Sequence, residues 1–196
     1  MCGSFRLDYD VIALMKRYRI EHKADLSDKS FNGDYFPGMR APIIRQNENY
    51  RMLSVLDWNF PLYDTGKNIF NARQETVNTK SFFANSFKLR RGILPVSSFY
   101  EWSKQPSHKF EIFDGELISI GIIFNRFKDK DNKTFEGFSI LTTDSYGVPK
   151  YIHNRLPVII PKDCEDLWLN MDTDIKELKQ IMEIENKKLK TRQIGD

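Results

Sequence analysis

Residues 92–143 read GILPVSSFYEWSKQPSHKFEIFDGELISIGIIFNRFKDKDNKTFEGFSILTT. Valine, isoleucine, threonine and aromatic residues crowd this stretch, and it divides at turn signals into strand-length pieces at 92–102, 108–113, 117–127 and 135–143. Asp114-Gly115 is a tight hairpin signal and 129–133 a second turn. Strands joined by turns this short can only run antiparallel.

The pattern extends outward in both directions. Upstream, 42–45 and 50–56 suit strands on either side of a polar turn at 47–49. Residues 10–19 place Val11, Leu14, Met15 and Tyr18 at helical spacing, with Lys16, Arg17 and Arg19 outward. Gly33, Pro37 and Gly38 break 25–38, which reads as a loop, and 57–70 reads as irregular. Residues 80–88 suit a short helix whose Phe82, Phe83 and Phe87 belong to the core. Downstream come a strand at 156–160 and helices at 162–170 and 172–185, then a basic, solvated tail at 187–192. Runs of strands with helices gathered toward the ends predict an α+β fold. Its sheet is expected to be largely antiparallel and curled or barrel-like, with flanking helices, in a single domain over 1–196.

The 196 residues suffice to bury roughly 70% of the surface of the unfolded chain. Hydrophobic residues make up 40% and charged residues 29%, a soluble balance, and the net charge of +3 permits nucleic acid as a partner without demanding it. No apolar run approaches bilayer length and the N-terminus lacks a signal-peptide pattern, so the expected location is the cytoplasm with no membrane partner. Cys2 and Cys164 are too few for a disulfide framework and match no metal spacing; no metal or organic cofactor is expected. Cys164 reads as a small buried hydrophobe on a helix, and His22 and His108 as surface residues.

Cys2 offers more. Trimming of Met1 leaves it as the terminal residue, with an amine and a thiol on adjacent carbons. The α-amine has a reference pKa of about 7.7–8.0, so a useful fraction is neutral near physiological pH. Such a residue has two chemistries. Its amine can condense with an aldehyde and its thiol then close the ring to a thiazolidine, an intramolecular step. Alternatively its thiol can attack an amide with the amine as base. Glutamine amidotransferases of the second type also begin Met-Cys-Gly.

Four segments bear on the choice: MCGSF (1–5), NARQET (71–76), RRGILP (90–95) leading to FYEW (99–102), and HNRLPV (153–158). In this order and at these separations they resemble the SOS-response-associated peptidase family, whose members crosslink to abasic sites. YFPG (35–38) and ILTT (140–143) add to the likeness. The resemblance implies that Cys2 forms the covalent link, Asn71 holds the terminal residue or the open sugar, Glu101 moves protons, and His153 stands by the sugar oxygen. It implies phosphate contacts for Arg73 and Arg155 and a pocket-lining role for Thr142. The implied partner is single-stranded DNA containing abasic sites, met by a monomer, with lyase and self-cleaving peptidase activities as associated chemistry.

These roles are chemically coherent. Opening a hemiacetal and expelling water from an imine both need proton transfer, which a carboxyl and an imidazole can provide. Arginine holds two phosphate oxygens at once. Each residue also has a plain structural reading: a solvent-facing strand glutamate for Glu101, a hydrogen-bonded histidine for His153, a turn residue for Asn71, and a pair with Glu75 or Asp64 for Arg73. Capture of single strands further needs cations and aromatic faces; Lys80, Lys88, Arg90, Arg91, Trp58, Phe60 and Tyr63 are candidates. Two positions depart from the family pattern. Ser4 stands where an arginine associated with DNA is common, and Asn59 where glycine is usual. Two rival readings remain at this stage, an N-terminal-nucleophile glutamine amidohydrolase and a non-covalent single-strand binding module.

Overall fold

The computed structural model describes residues 2–23, 31–47, 50–62, 66–103 and 108–195. In chain order its elements are β1 (Ser4–Tyr9), α1 (Val11–Tyr18), β2 (His22–Lys23), β3 (Phe31–Tyr35), β4 (Arg40–Asn47), β5 (Tyr50–Asp57), β6 (Pro61–Leu62), β7 (Lys67–Asn68), β8 (Asn71–Arg73), α2 (Gln74–Val77), α3 (Ser81–Leu89), β9 (Arg91–Val96) and β10 (Ser98–Trp102). They continue with β11 (Lys109–Phe113), β12 (Ile118–Lys128), β13 (Thr134–Asp144), β14 (Arg155–Pro157), α4 (Glu165–Leu169), α5 (Ile175–Met182) and β15 (Lys190–Gln193). Short 3₁₀ turns cover Val148–Tyr151 and Lys162–Cys164.

Strands β13, β12, β9, β4 and β5 are neighbours in that order, and β5 returns to β13 through a parallel rung between Asp57 and Gly137. The five thus close into a barrel. Gly137 is required at the seam, because a Cβ there would lie 2.0 Å from the backbone oxygen of Asn59. A second sheet, in the order β15, β11, β10, β1, β3, is antiparallel throughout. One hydrophobic core serves both sheets: Trp58 sits between Phe5 of the second sheet and Phe138 of the barrel, with ring centroids 5.3 and 6.1 Å away. The expected α+β class with a curled, largely antiparallel sheet is what the chain adopts.

Helix α1 begins where Asp10 accepts the Ala13 amide at 2.7 Å and stops where Arg19 turns left-handed. It buries Val11, Leu14 and Tyr18, as its spacing predicts.

Several local expectations change. The stretch 92–102 is two strands, broken at Ser97, whose amide donates to Arg6 and whose hydroxyl accepts from the Asp8 amide. This break passes the chain from the barrel to the second sheet. The expected loop at 25–38 contains β3, which pairs along β1 despite an Asn-Gly-Asp interior. The irregular 57–70 carries the β6–β7 ladder, and the basic tail forms the edge strand β15. Phe82 is partly exposed whereas Phe83 and Phe87 are buried; Cys164 is only half-buried and ends a 3₁₀ turn, and His108 is half-buried while His22 is exposed.

Candidate active site

The register of β1 against β10 assembles the site. Ser4 lies opposite Tyr100 and Phe5 opposite Phe99, so Glu101 falls beside the first residues of the chain. Cys2 is fully buried there, its thiol directed at the Ser4 carbonyl 3.7 Å away. Asn71 arrives on β8, which runs parallel to β13 with Asn71 opposite Ile140. Its Nδ2 donates to the Cys2 carbonyl at 3.0 Å and so fixes the orientation of Cys2.

His153 arrives from the other flank of β13, between the Val148–Tyr151 turn and β14. Its amide donates to Pro149, and its Nδ1 accepts the Arg155 amide at 3.0 Å, which puts the proton of the neutral ring on Nε2. A second proton would make Nδ1 a donor, with the Arg155 carbonyl 3.2 Å and Glu101 Oε2 3.9 Å away. Cys2, Asn71, Glu101 and His153, distant in the chain, therefore converge on one place.

Glu101 faces inward at only 2% exposure, against the solvent-facing alternative, while Trp102 beside it is partly exposed. Burial pushes its carboxyl up to about 7, opposed by the positive charge of the chain terminus. The Cys2 thiol is pushed well above the ordinary thiol range, chiefly by burial and then by the charge of Glu101. A buried carboxyl that titrates near neutrality close to an imidazole can pass protons in either direction.

The expected DNA contacts divide. Arg73 and Lys80 are exposed. Arg155 is buried and held by Glu75 and Asp144, with Arg155 Nη1 2.6 Å from each, and by the Thr142 carbonyl at 2.7 Å. It therefore braces β14 against α2 and β13 rather than standing ready for a phosphate. Glu75, which the sequence offers as a partner for Arg73, belongs to Arg155. Thr142 is fully buried, its hydroxyl donating to the Ala72 carbonyl at 3.4 Å.

Arg91 is a correction. It is buried and donates to the carbonyls of Phe87, Lys88, Trp168 and Asn170, so it ties α3 and α4 to β9 and has no face for DNA. Burial pushes its guanidinium down to about 10. Trp58 is likewise fully buried, its Nε1 donating to the Phe70 carbonyl at 3.0 Å, and Phe60 is buried, so neither can stack on a base. Tyr63 lies outside the described residues. Asn59 keeps a negative φ and needs none of the freedom of glycine. Ser4 is buried within β1, its hydroxyl without a hydrogen-bond partner.

The model of the family described as SOS response associated peptidase (SRAP) matches residues 1–196. The chain belongs to the SRAP family. It is 27% identical over 201 aligned residues to the abasic site processing protein YoqW of Bacillus subtilis, covering 93% of this chain and 87% of that one. It is 29% identical to YoaM of the same organism, also named an abasic site processing protein, covering 87% and 79%. The Escherichia coli relative YedK is 24% identical over 74% of this chain and 67% of its own length. A crystal structure of a Bacteroides thetaiotaomicron protein has the same fold, with a TM-score of 0.86 at 24% identity over 100% of this chain and 93% of that one. The four motif segments of the SRAP likeness fall on β1, β8–α2, β9–β10 and β14, the elements that build the site.

Proposed function

We propose that this protein captures abasic sites in single-stranded DNA covalently through Cys2, after Met1 is removed, as part of the response to DNA damage (SOS), and acts as a monomer. The observation that carries this reading is the convergence of Cys2, Asn71, Glu101 and His153 around the start of the chain. The names of the bacterial relatives point to the same substrate.

The chemistry runs as follows. The open-chain abasic sugar presents an aldehyde, and Glu101 takes a proton from the Cys2 ammonium. The freed amine adds to the aldehyde carbon, protonation of the resulting hydroxyl by Glu101 or His153 lets it leave as water, and the N–H proton of the iminium ion returns to that same group, giving an imine. The Cys2 sulfur then adds to the imine carbon while the thiol proton passes to the nitrogen, closing a thiazolidine. Strand cleavage from the imine is the associated lyase outcome, and attack by the same residue on a peptide bond the peptidase one. Arg73 and Lys80 supply cations for phosphates. A reactive residue this enclosed favours a strand free to bend, hence single-stranded over duplex DNA.

The burial that holds the thiol in its neutral form makes the amine the better first nucleophile, which favours aldehyde capture over the thiolate attack of an amidohydrolase. The test is a denaturing gel after incubation with a single-stranded oligonucleotide bearing one abasic site. A band at the summed mass is expected, absent for undamaged DNA and for Cys2→Ala. No band from protein shown by mass spectrometry to lack Met1 would overturn the reading, and a salt-sensitive complex indifferent to Cys2→Ala would return the chain to a non-covalent binder.

A further inference from the structure

A groove of about 590 Å³ lies between α3 and β12. One wall is aromatic, from Phe60, Phe82 and Phe127, and the other polar, from Ser86, Arg90 and Arg126. Among the described residues no carboxylate lines it. Ser86 is 1% exposed and its hydroxyl has no hydrogen-bond partner; Arg90 Nε is buried and equally unpartnered. Buried polar atoms without partners are scarce in folded proteins, and two in one groove call for an acceptor supplied from outside. Asn125 lines the groove too and spends its Oδ1 on the Arg126 amide at 2.9 Å, which leaves its Nδ2 as a donor. Arg126 gives only its Nε to Glu136, at 3.3 Å, and its side chain is largely exposed.

The polar wall therefore offers donors and two guanidinium groups, while Phe82 presents a ring at 39% exposure. Donors lining one groove beside an aromatic face match a phosphate attached to a base. The groove is also placed to matter. Asn125 pairs with Gly137, three residues along β13 from Ile140, the partner of Asn71. Asn125 and Asn71 stand on opposite sides of β13, about 10 Å apart along it and about 10 Å across it, a span that the backbone of a strand held at Cys2 can bridge.

We propose that this groove binds a nucleoside phosphate, with the phosphate among Arg90, Arg126 and Ser86 and the base against Phe82. Resting on the reading of Cys2 as the capturing residue, its natural occupant is a nucleotide flanking the lesion in the captured strand. A free nucleotide shares the chemistry and is the alternative source.

The experiment measures the affinity of the full-length protein for an undamaged single strand by fluorescence anisotropy, and for deoxyadenosine monophosphate by NMR titration. Both are repeated with Phe82→Ala and Arg90→Gln, neither of which touches Cys2, Asn71, Glu101 or His153. Loss of strand affinity on the order of tenfold in both variants is expected, with a salt slope shallower by about 0.7 for Arg90→Gln. At saturating DNA the crosslinked band should persist. Weakened nucleotide binding with unchanged strand binding would support the groove and assign it to free nucleotides. If both variants bind both probes as the parent does, the proposal is wrong. A parent protein that gives no covalent band, yet loses strand affinity in these variants, would sink the capture reading and leave the groove standing.

Discussion

Replacing Glu101 by glutamine should make the protein more stable at neutral pH and inactive at once. The folded-state carboxyl titrates near 7 rather than at its ordinary 4.5, because burial disfavours the charge. Below pH 4.5 the carboxyl is protonated in both the folded and unfolded states and costs nothing. Between 4.5 and 7 the folded state holds a proton that the unfolded state has released, so stability falls as pH rises, by about 1.36 kcal/mol per unit. Over this interval the loss comes to about 3 kcal/mol, complete above pH 7. Glutamine mimics the protonated acid at every pH. The variant should therefore match the parent at pH 4.5 and exceed it by about 3 kcal/mol at pH 8, which for a chain of this size is about 6–12 °C in melting temperature. Thermal melts of both proteins across this range measure the difference, which includes the change in the terminal amine whose charge opposes the shift of Glu101. A difference that does not change with pH, or a variant less stable at pH 8, would refute the argument that Glu101 is held uncharged by burial. Crosslinking by the variant should fall by about a hundredfold or more, as expected for loss of a proton-transfer group.

Asn71→Ala removes the hydrogen bond to the Cys2 carbonyl and should slow crosslinking by about tenfold at unchanged strand affinity; single-turnover rates at saturating DNA check this. Gly137→Ala forces a Cβ onto the Asn59 carbonyl at the barrel seam and should cost about 3 kcal/mol, read from the midpoint of urea unfolding. Arg91→Met should destabilise by about 1–3 kcal/mol by orphaning carbonyls, yet leave the salt dependence of DNA binding untouched, whereas Arg73→Ala or Lys80→Ala should each lower the salt slope by about 0.7.

The long strands of the barrel were legible because β12 and β13 combine apolar runs with turn signals at both ends. Strand β3 was not, since Asn32, Gly33 and Asp34 are poor strand formers that β1 recruits from outside. The four residues of the candidate site were findable only through their motifs; the chain does not announce that Asn71 and His153 flank the same strand. The adjacent Arg90 and Arg91 show the limit most plainly. Alternation says that they face opposite ways but not which faces in, and that was settled by the carbonyls of α3 and α4 waiting for Arg91. The fate of Trp58 likewise depended on Phe5 and Phe138, partners far away in the chain.

The burial of Cys2 has a consequence for how the protein matures. Ser4 pairs with Tyr100, so the strand that encloses Cys2 cannot dock until about half of the chain has been synthesised. Under the proposed function, the removal of Met1 is therefore easiest before that moment, because afterwards Cys2 is enclosed by the fold. On that reading, translation sets a time window for activation.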